Sequence, residues 1–529
     1  IRHAHGGLPV TNMASKASGS AGSAASAGVS GQGTIGQIPV HLDRTLDTPL
    51  PVQLAAALRE AIDAATLRPG EGVPATRDFS RRLGVARGVV VAAYEQLLAE
   101  GYLTATHGQG TRVNPALDAV QPQRRDRAAT PGPGALNASG TLNSLDASNA
   151  PAPSVPSTSA PGPTDPGPLA PGRPITDAVD SPAWRAAWRT AAARAHLAAP
   201  ELGDPRLRSE IADHLRRMRG TARSDRDVLV TAGTRDGLGL LLTALGTTRG
   251  HGLVVGVEDP GLPSLRAVAA RFGASVVALP TDSEGLDTTR LPDGVLDVVI
   301  VTPSHQYPLG GSLPLTRRRE LLAWATRAGV VVVEDDFDSE LRYTGSPLPT
   351  LAALDDPVDG VVVLLGTFSR TVAPGLSAGY LLAPENLRAR IEPIRRELGG
   401  PVSTIVQVAL AQYLASGELR RHTARMLRRY AARRDAVSEH LAGVPGVRVR
   451  PMDGGLHAVI EFTGPDGGRA KEAAVVASTD AAGLGVEALS RYWQQRDTDA
   501  GIAGLVIGMG GSDDAECIAA LTTLRALLS

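Results

Sequence analysis
Five short apolar runs recur between residues 228 and 365: Val228–Val230, Leu253–Val257, Val295–Val301, Val330–Val333 and Val361–Leu365. Segments of helical period near 235–245, 262–272 and 316–328 separate them. A run that is apolar at every residue buries both faces of a strand, and strands alternating with helices pair in parallel beneath helical layers. This pattern dictates an α/β fold: a three-layer domain with a mostly parallel sheet. Beyond about residue 400, an Arg-rich helical stretch and a mixed segment ending in GLVIGMG read as a small C-terminal α+β domain. Ligands of such sheets lie outside the carboxyl ends of the strands. The turn after the fifth run, Gly366–Thr367–Phe368–Ser369–Arg370, is therefore a candidate site, followed by a second apolar strand from Gly379–Tyr380.

Upstream lies a smaller unit. Leu54, Leu58, Ala61, Ile62 and Ala65 share one face of a helix opened by Pro49–Pro51 and closed near Pro69–Gly70. A second helix, about Thr76–Leu83, turns Phe79 and Leu83 inward and Arg77, Arg81 and Arg82 outward. Gly84 supplies a tight turn into a third helix, about Arg87–Glu100, that buries Val90, Tyr94, Leu97 and Leu98. Two short strands, Tyr102–Thr104 and Gly110–Val113, flank His107–Gly108. Helix, helix–turn–helix and β-wing in this order place the start of the last helix in a DNA major groove. The same three helices could instead form a protein–protein module.

With 529 residues, at least two domains are expected. The net charge of −1 confines any nucleic-acid surface to a local patch. One cysteine, Cys517, excludes an intramolecular disulfide and suits the reducing cytoplasm; no apolar run is long enough for a membrane helix. Residues 1–36, rich in Gly, Ala and Ser, read as disordered, with Met13 a possible true start. Residues 114–174 hold 13 of the 39 prolines and no aromatic residue, the composition of a disordered spacer. The expected division is thus 1–36 disordered, 37–113 DNA-reading, 114–174 linker and 175–529 large domain.

The segments PLPVQLAAALREAI, GEGVPATRDFSRRLGVARGVVVAAYEQLLAEGYL and THGQGTRV resemble a GntR-type winged helix. The resemblance implies that Arg77 and Arg87 contact DNA with Gly88 at the helix start, and that His107 and Gly108 form a wing tip in the minor groove. Ala86, Gly88 and Val89 stand where the family often has Ser or Thr, so some phosphate hydrogen bonds would be missing.

WRAAW, DPRLR, VTAGTRDGL, VEDPG, VTPSHQYPLG, VVVEDDFDSELRY and GTFSR, in this order, resemble the large domain of MocR-type regulators. These proteins join a GntR winged helix to a fold-type I aminotransferase-like domain. The resemblance implies a pyridoxal 5'-phosphate (PLP) pocket, a small-molecule effector and a head-to-tail homodimer on an operator. It makes Asp335 the partner of the pyridine nitrogen. It places Thr234, Arg235 and Ser369 in a phosphate cup, with His305 and Phe337 nearby.

Four positions depart from the pattern. Arg370 occupies the place of the Schiff-base lysine, and a guanidinium stays protonated and is no usable nucleophile. Ser377 replaces a phosphate-binding arginine, Phe337 a tyrosine and Leu262 the aromatic of a Pro-Gly-Tyr turn. Only Lys16 and Lys471 could substitute, and neither sits in a motif. Expected is a regulator whose covalent site is lost and whose enzymatic activity is absent. Two readings stay open beside it: an active aminotransferase carrying a DNA-binding domain, and a regulator whose large domain is a PLP-independent scaffold or sensor. Arg370 could be a vestige or a bidentate seat for an anion; His305 could be a hydrogen-bonded structural histidine.

Overall fold
The computed structural model describes residues 40, 42–44, 50–63, 66–99, 102–106, 110–115, 166–193, 198, 200–247, 252–338, 340–343, 349–464, 468–494, 502–511 and 513–529. Ala65, His107 and Gly108, residues 1–36 and most of the expected linker lie outside them.

Three helices, α1 (Leu50–Asp63), α2 (Thr76–Leu83) and α3 (Arg87–Ala99), precede an antiparallel wing, β1 (Leu103–Thr106) and β2 (Gly110–Val113). Leu54, Leu58, Phe79, Val90, Tyr94 and Leu97 form the core that helical periodicity assigns them. Gly84 adopts φ 62°, the left-handed conformation that closes α2 and that a β-carbon would strain.

The large domain opens with α4 (Pro182–Ala192) and α5 (Pro205–Arg219) and continues through β3 (Val228–Thr231), α6 (Thr234–Gly246), β4 (Val254–Asp259) and α7 (Pro263–Arg271). Then come β5 (Ser275–Asp282), β6 (Gly285–Leu286), β7 (Val298–Val301), α8 (Leu315–Ala328), β8 (Val331–Asp336), α9 (Leu351–Leu354), β9 (Val362–Thr367), β10 (Gly379–Leu382) and α10 (Glu385–Leu398). The sheet order is β3-β10-β9-β8-β7-β4-β5-β6. Strands β9, β8, β7, β4 and β5 are mutually parallel, and β10 runs antiparallel between β9 and β3. The five apolar runs all become strands. β5 holds a further apolar run, Val276–Leu279, that sequence reading passed over, and its residues are mostly half-buried.

After α11 (Thr404–Ala415), α12 (Glu418–Leu441) leads into a small four-stranded antiparallel sheet. It comprises β11 (Val447–Val449), β12 (His457–Phe462), β13 (Glu487–Ala488) and β14 (Gly504–Gly508), with α13 (Arg469–Ala481) and α14 (Asp514–Leu528) against it.

Composition places residues 166–174 in the spacer, but the fold packs them as a strap along this small sheet. Leu169 is fully buried, Leu169 N–H donates to Leu484 O at 2.9 Å, and Gly508 N–H donates to Leu169 O at 2.7 Å. Just beyond, Ile175 N–H donates to the Tyr430 hydroxyl at 2.8 Å. The groove floor is glycine: a β-carbon on Gly485 would lie 1.8 Å from Pro166 O, and one on Gly508 2.1 Å from Ala170 O. A Pro- and Gly-rich extended segment is ordered here because glycines let its backbone come close enough to bond.

Candidate functional site
The starts of α2 and α3 stand side by side. Arg77, Arg87 and Gly88 are exposed, and Arg87 Nε donates to Thr76 Oγ1 at 3.3 Å, tying one helix start to the other. The Tyr94 hydroxyl, donating to Pro74 O at 2.8 Å, fixes the loop before α2 from behind. Arg44, which sequence reading passed over, donates to Gly84 O at 2.6 Å and braces the turn.

The second site is a cavity of about 340 Å³ at the carboxyl ends of β3, β4, β8 and β9. After β3, Gly233 (φ 97°) turns the chain into α6, so that the first residues of that helix, Thr234 and Arg235, line the cavity. Asp236 holds this turn. Its Oδ2 accepts from Ala232 N–H at 3.0 Å and from the buried Arg395 at 2.7 Å. After β9, Ser369 N–H donates to Thr367 Oγ1 at 3.1 Å, which sets the Ser369–Arg370 turn. Gly366 is required one step earlier, because a β-carbon there would meet the Tyr380 ring of β10 at 2.1 Å.

Strand β8 ends in three carboxylates that the fold treats differently. Glu334 faces away from the cavity, accepts from Ala352 N–H at 3.2 Å, and is pushed up to about 7 by burial. Asp336 pairs with the fully buried Arg219 at 2.6 and 2.5 Å, and Arg219 also donates to Ser304 Oγ at 2.9 Å. Asp335 alone lines the cavity. Its Oδ1 has no hydrogen-bond partner, and burial, aided by neighbouring Asp336, pushes its carboxyl up to about 8. The Arg370 guanidinium pulls in the opposite direction.

Aromatic rings wall the cavity. Tyr307 packs edge-on to Phe337 at 5.7 Å and lies 4.4 Å from the His457 ring. His457 Nε2 bonds Pro308 O at 2.8 Å, so that nitrogen is the donor, and burial lowers the imidazole to about 4.

Of the residues that sequence singles out, Thr234, Arg235, Asp335, Phe337, Ser369 and Arg370 come together around this cavity, with Leu262 and Ser377. His305 does not reach its wall. It sits one layer behind, Nδ1 3.0 Å from Asp338 Oδ1, stacked on Phe337 at 6.0 Å. Tyr307, His457 and Gly172 are wall residues that sequence reasoning missed. Tyr307 lies inside the VTPSHQYPLG motif and could have been found; nothing local marks His457 or Gly172. No lysine of the described residues lines the cavity. Lys471 stands over the Phe462 ring at 5.2 Å, in the small domain.

The comparisons agree with this architecture. A family profile, Aminotransferase class I and II, matches residues 169–480, and another, Bacterial regulatory proteins, gntR family, matches residues 50–113. The chain belongs to the MocR-type regulators. It is similar to the HTH-type pyridoxine biosynthesis transcriptional regulator PdxR of Corynebacterium glutamicum, 42% identical over 91% of this chain and 96% of that protein. It is also similar to the probable rhizopine catabolism regulatory protein MocR of Rhizobium meliloti, 30% identical over 92% of this chain and 94% of that protein. Among solved structures, an archaeal alanine:glyoxylate aminotransferase shares the fold, with TM-score 0.61 and 20% identity over 68% of this chain and 90% of that one. The MocR-type chain is thus a helix–turn–helix transcriptional regulator in which an aminotransferase-like domain, of a family that implies PLP binding, carries the ligand-sized cavity. Among the described residues no helix is long and apolar enough to cross a membrane.

Proposed function
We propose that this regulator binds its operator as a cytoplasmic homodimer and senses PLP, or a close analogue, held without a covalent bond. The observation that carries this reading is the unpartnered Oδ1 of Asp335, buried at the end of an aromatic-walled cavity. That carboxyl suits a ring nitrogen. The α6 start at Thr234 and Arg235, with Ser369, suits a phosphate, since helix N-termini present free N–H groups to anions. Tyr307 and Phe337 would confine the ring. PLP supplies an electron-withdrawing pyridine and an aldehyde. Arg370 offers that aldehyde no nucleophile, so the domain holds the ligand as a signal and transfers no amino group. The PdxR relative's name supports target genes of pyridoxine metabolism.

Arg77, Arg87 and Gly88 would read the operator, with His107 and Gly108 in the wing. The boundaries 37–113 and 175–529 describe reader and sensor, the linker extending to 174 with its last residues docked on the sensor. The ligand acts by favouring one arrangement of the paired readers. A gel shift on the operator tests both halves. Arg77→Ala or Arg87→Ala should abolish binding, and PLP should change the affinity of the parent protein. A sensor domain that is a PLP-independent scaffold would leave that affinity unchanged.

A further inference from the structure
The cavity contains a cation that the protein does not neutralise. Arg370 is half-buried, and among the described residues neither hydrogen bond nor ion pair holds its guanidinium. Its Nη1 lies 2.8 Å from the point a β-carbon on Gly172 would occupy, so the side chain reaches the strap. Its charge acts on Asp335, Tyr307 and His457, all wall residues. Asp336 is held by Arg219 and Glu258 by the Thr302 hydroxyl. Asp338, also on the cavity wall, is held by His305 through Oδ1 and leaves Oδ2 without a hydrogen bond, and neither oxygen bonds Arg370. Asp335 is largely protonated at neutral pH because burial disfavours its anion. A half-withdrawn guanidinium without a counter-charge is a seat for a planar anion, and a carboxylate matches its fork with two parallel bonds.

We propose that Arg370 makes this pocket select a pyridine phosphate bearing a carboxylate where PLP has its aldehyde, the oxidised form of the cofactor. This rests on the PLP-like reading of the cavity and narrows it. The lysine such a turn carries elsewhere would react with an aldehyde. An arginine in its place cannot react, but it pairs with the acid that aldehyde oxidation yields. The class of reaction supplying the ligand is then dehydrogenation of the aldehyde hydrate to the carboxylate, water giving the oxygen and a nicotinamide coenzyme taking the hydride.

The test is titration of the full-length protein, by calorimetry, with three probes: PLP, pyridoxamine 5'-phosphate and 4-pyridoxic acid 5'-phosphate. The carboxylate should bind roughly tenfold to a hundredfold tighter than the amine, the range for one charge-assisted interaction. Arg370→Gln should erase that lead. Arg370→Lys, which keeps a cation, should retain part of it while gaining a borohydride-trapped adduct with PLP; should the glutamine variant fail to fold, the lysine variant carries the test. An amine that binds as tightly as the carboxylate, or a lead that survives in Arg370→Gln, overturns the proposal and leaves the PLP-like reading standing. If none of the three binds, the PLP-like reading falls and this inference falls with it.

Discussion
At the scale of single residues, the cavity is defined by what burial does to carboxyl groups. Burial pushes Asp335 up to about 8, and Glu258 and Glu334 up to about 7. In each case the folded state holds a proton that the unfolded chain releases near pH 4. The stabilisation is therefore full below that point and is lost as pH rises through 7 to 8. The ligand-free protein should show a midpoint of thermal unfolding that falls between about pH 4 and 8 and levels off above. Asp335→Asn has no proton to lose there, so its fall should be shallower; an equally steep fall would contradict the assignment. A second prediction concerns Arg219 and Asp336. Arg219→Met leaves the Asp336 carboxylate buried without its partner, which should cost about 3–5 kcal/mol by denaturant unfolding. Asp335 and Arg370 were legible in the sequence because each sits in a short motif at a strand end. Tyr307 and His457 meet only through tertiary packing of two domains, and no local pattern records a contact between residues 150 positions apart.

Among elements, the strap is the one whose order composition hides. Counting prolines and glycines assigns residues 166–174 to a spacer; their burial depends on the shape of a groove made by Gly485, Gly508 and Gly510. Gly485 has φ 73° and Pro166 O directly above it. Gly485→Ala should destabilise the chain by about 1–3 kcal/mol, the range for a strained backbone position. It should also expose residues 166–175 to limited proteolysis; unchanged cleavage would show that the groove does not hold the strap. The strand alternation was legible for β3, β4, β7, β8 and β9 because a doubly buried strand must be apolar throughout. The antiparallel sense of β10 was not. It follows from how the 366–370 turn and the following 3₁₀ segment reverse the chain, and periodicity carries no direction.

Across the whole molecule, the winged helix and the large domain meet at α8. Leu315 of α8 joins the buried core of the winged helix, and the Arg319 guanidinium lies over the Tyr102 ring at 5.1 Å while donating to its hydroxyl at 3.2 Å. Arg319→Ala should weaken this contact by about 1 kcal/mol and reduce the effect of pocket ligands on operator affinity, read by gel shift with and without PLP. The order of domains was legible because each carries its own motifs, whereas the contact between them depends on single side chains whose role no motif announces. With Arg370 in the turn, the proposed sensor would hold PLP without a covalent bond, and trapping chemistry distinguishes the two modes. The purified full-length protein is titrated with PLP, reduced with borohydride and weighed by intact-mass spectrometry. Expected is saturable binding with unchanged mass; a mass gain of one reduced pyridoxyl phosphate would mean that a lysine captures the cofactor, and would contradict noncovalent retention.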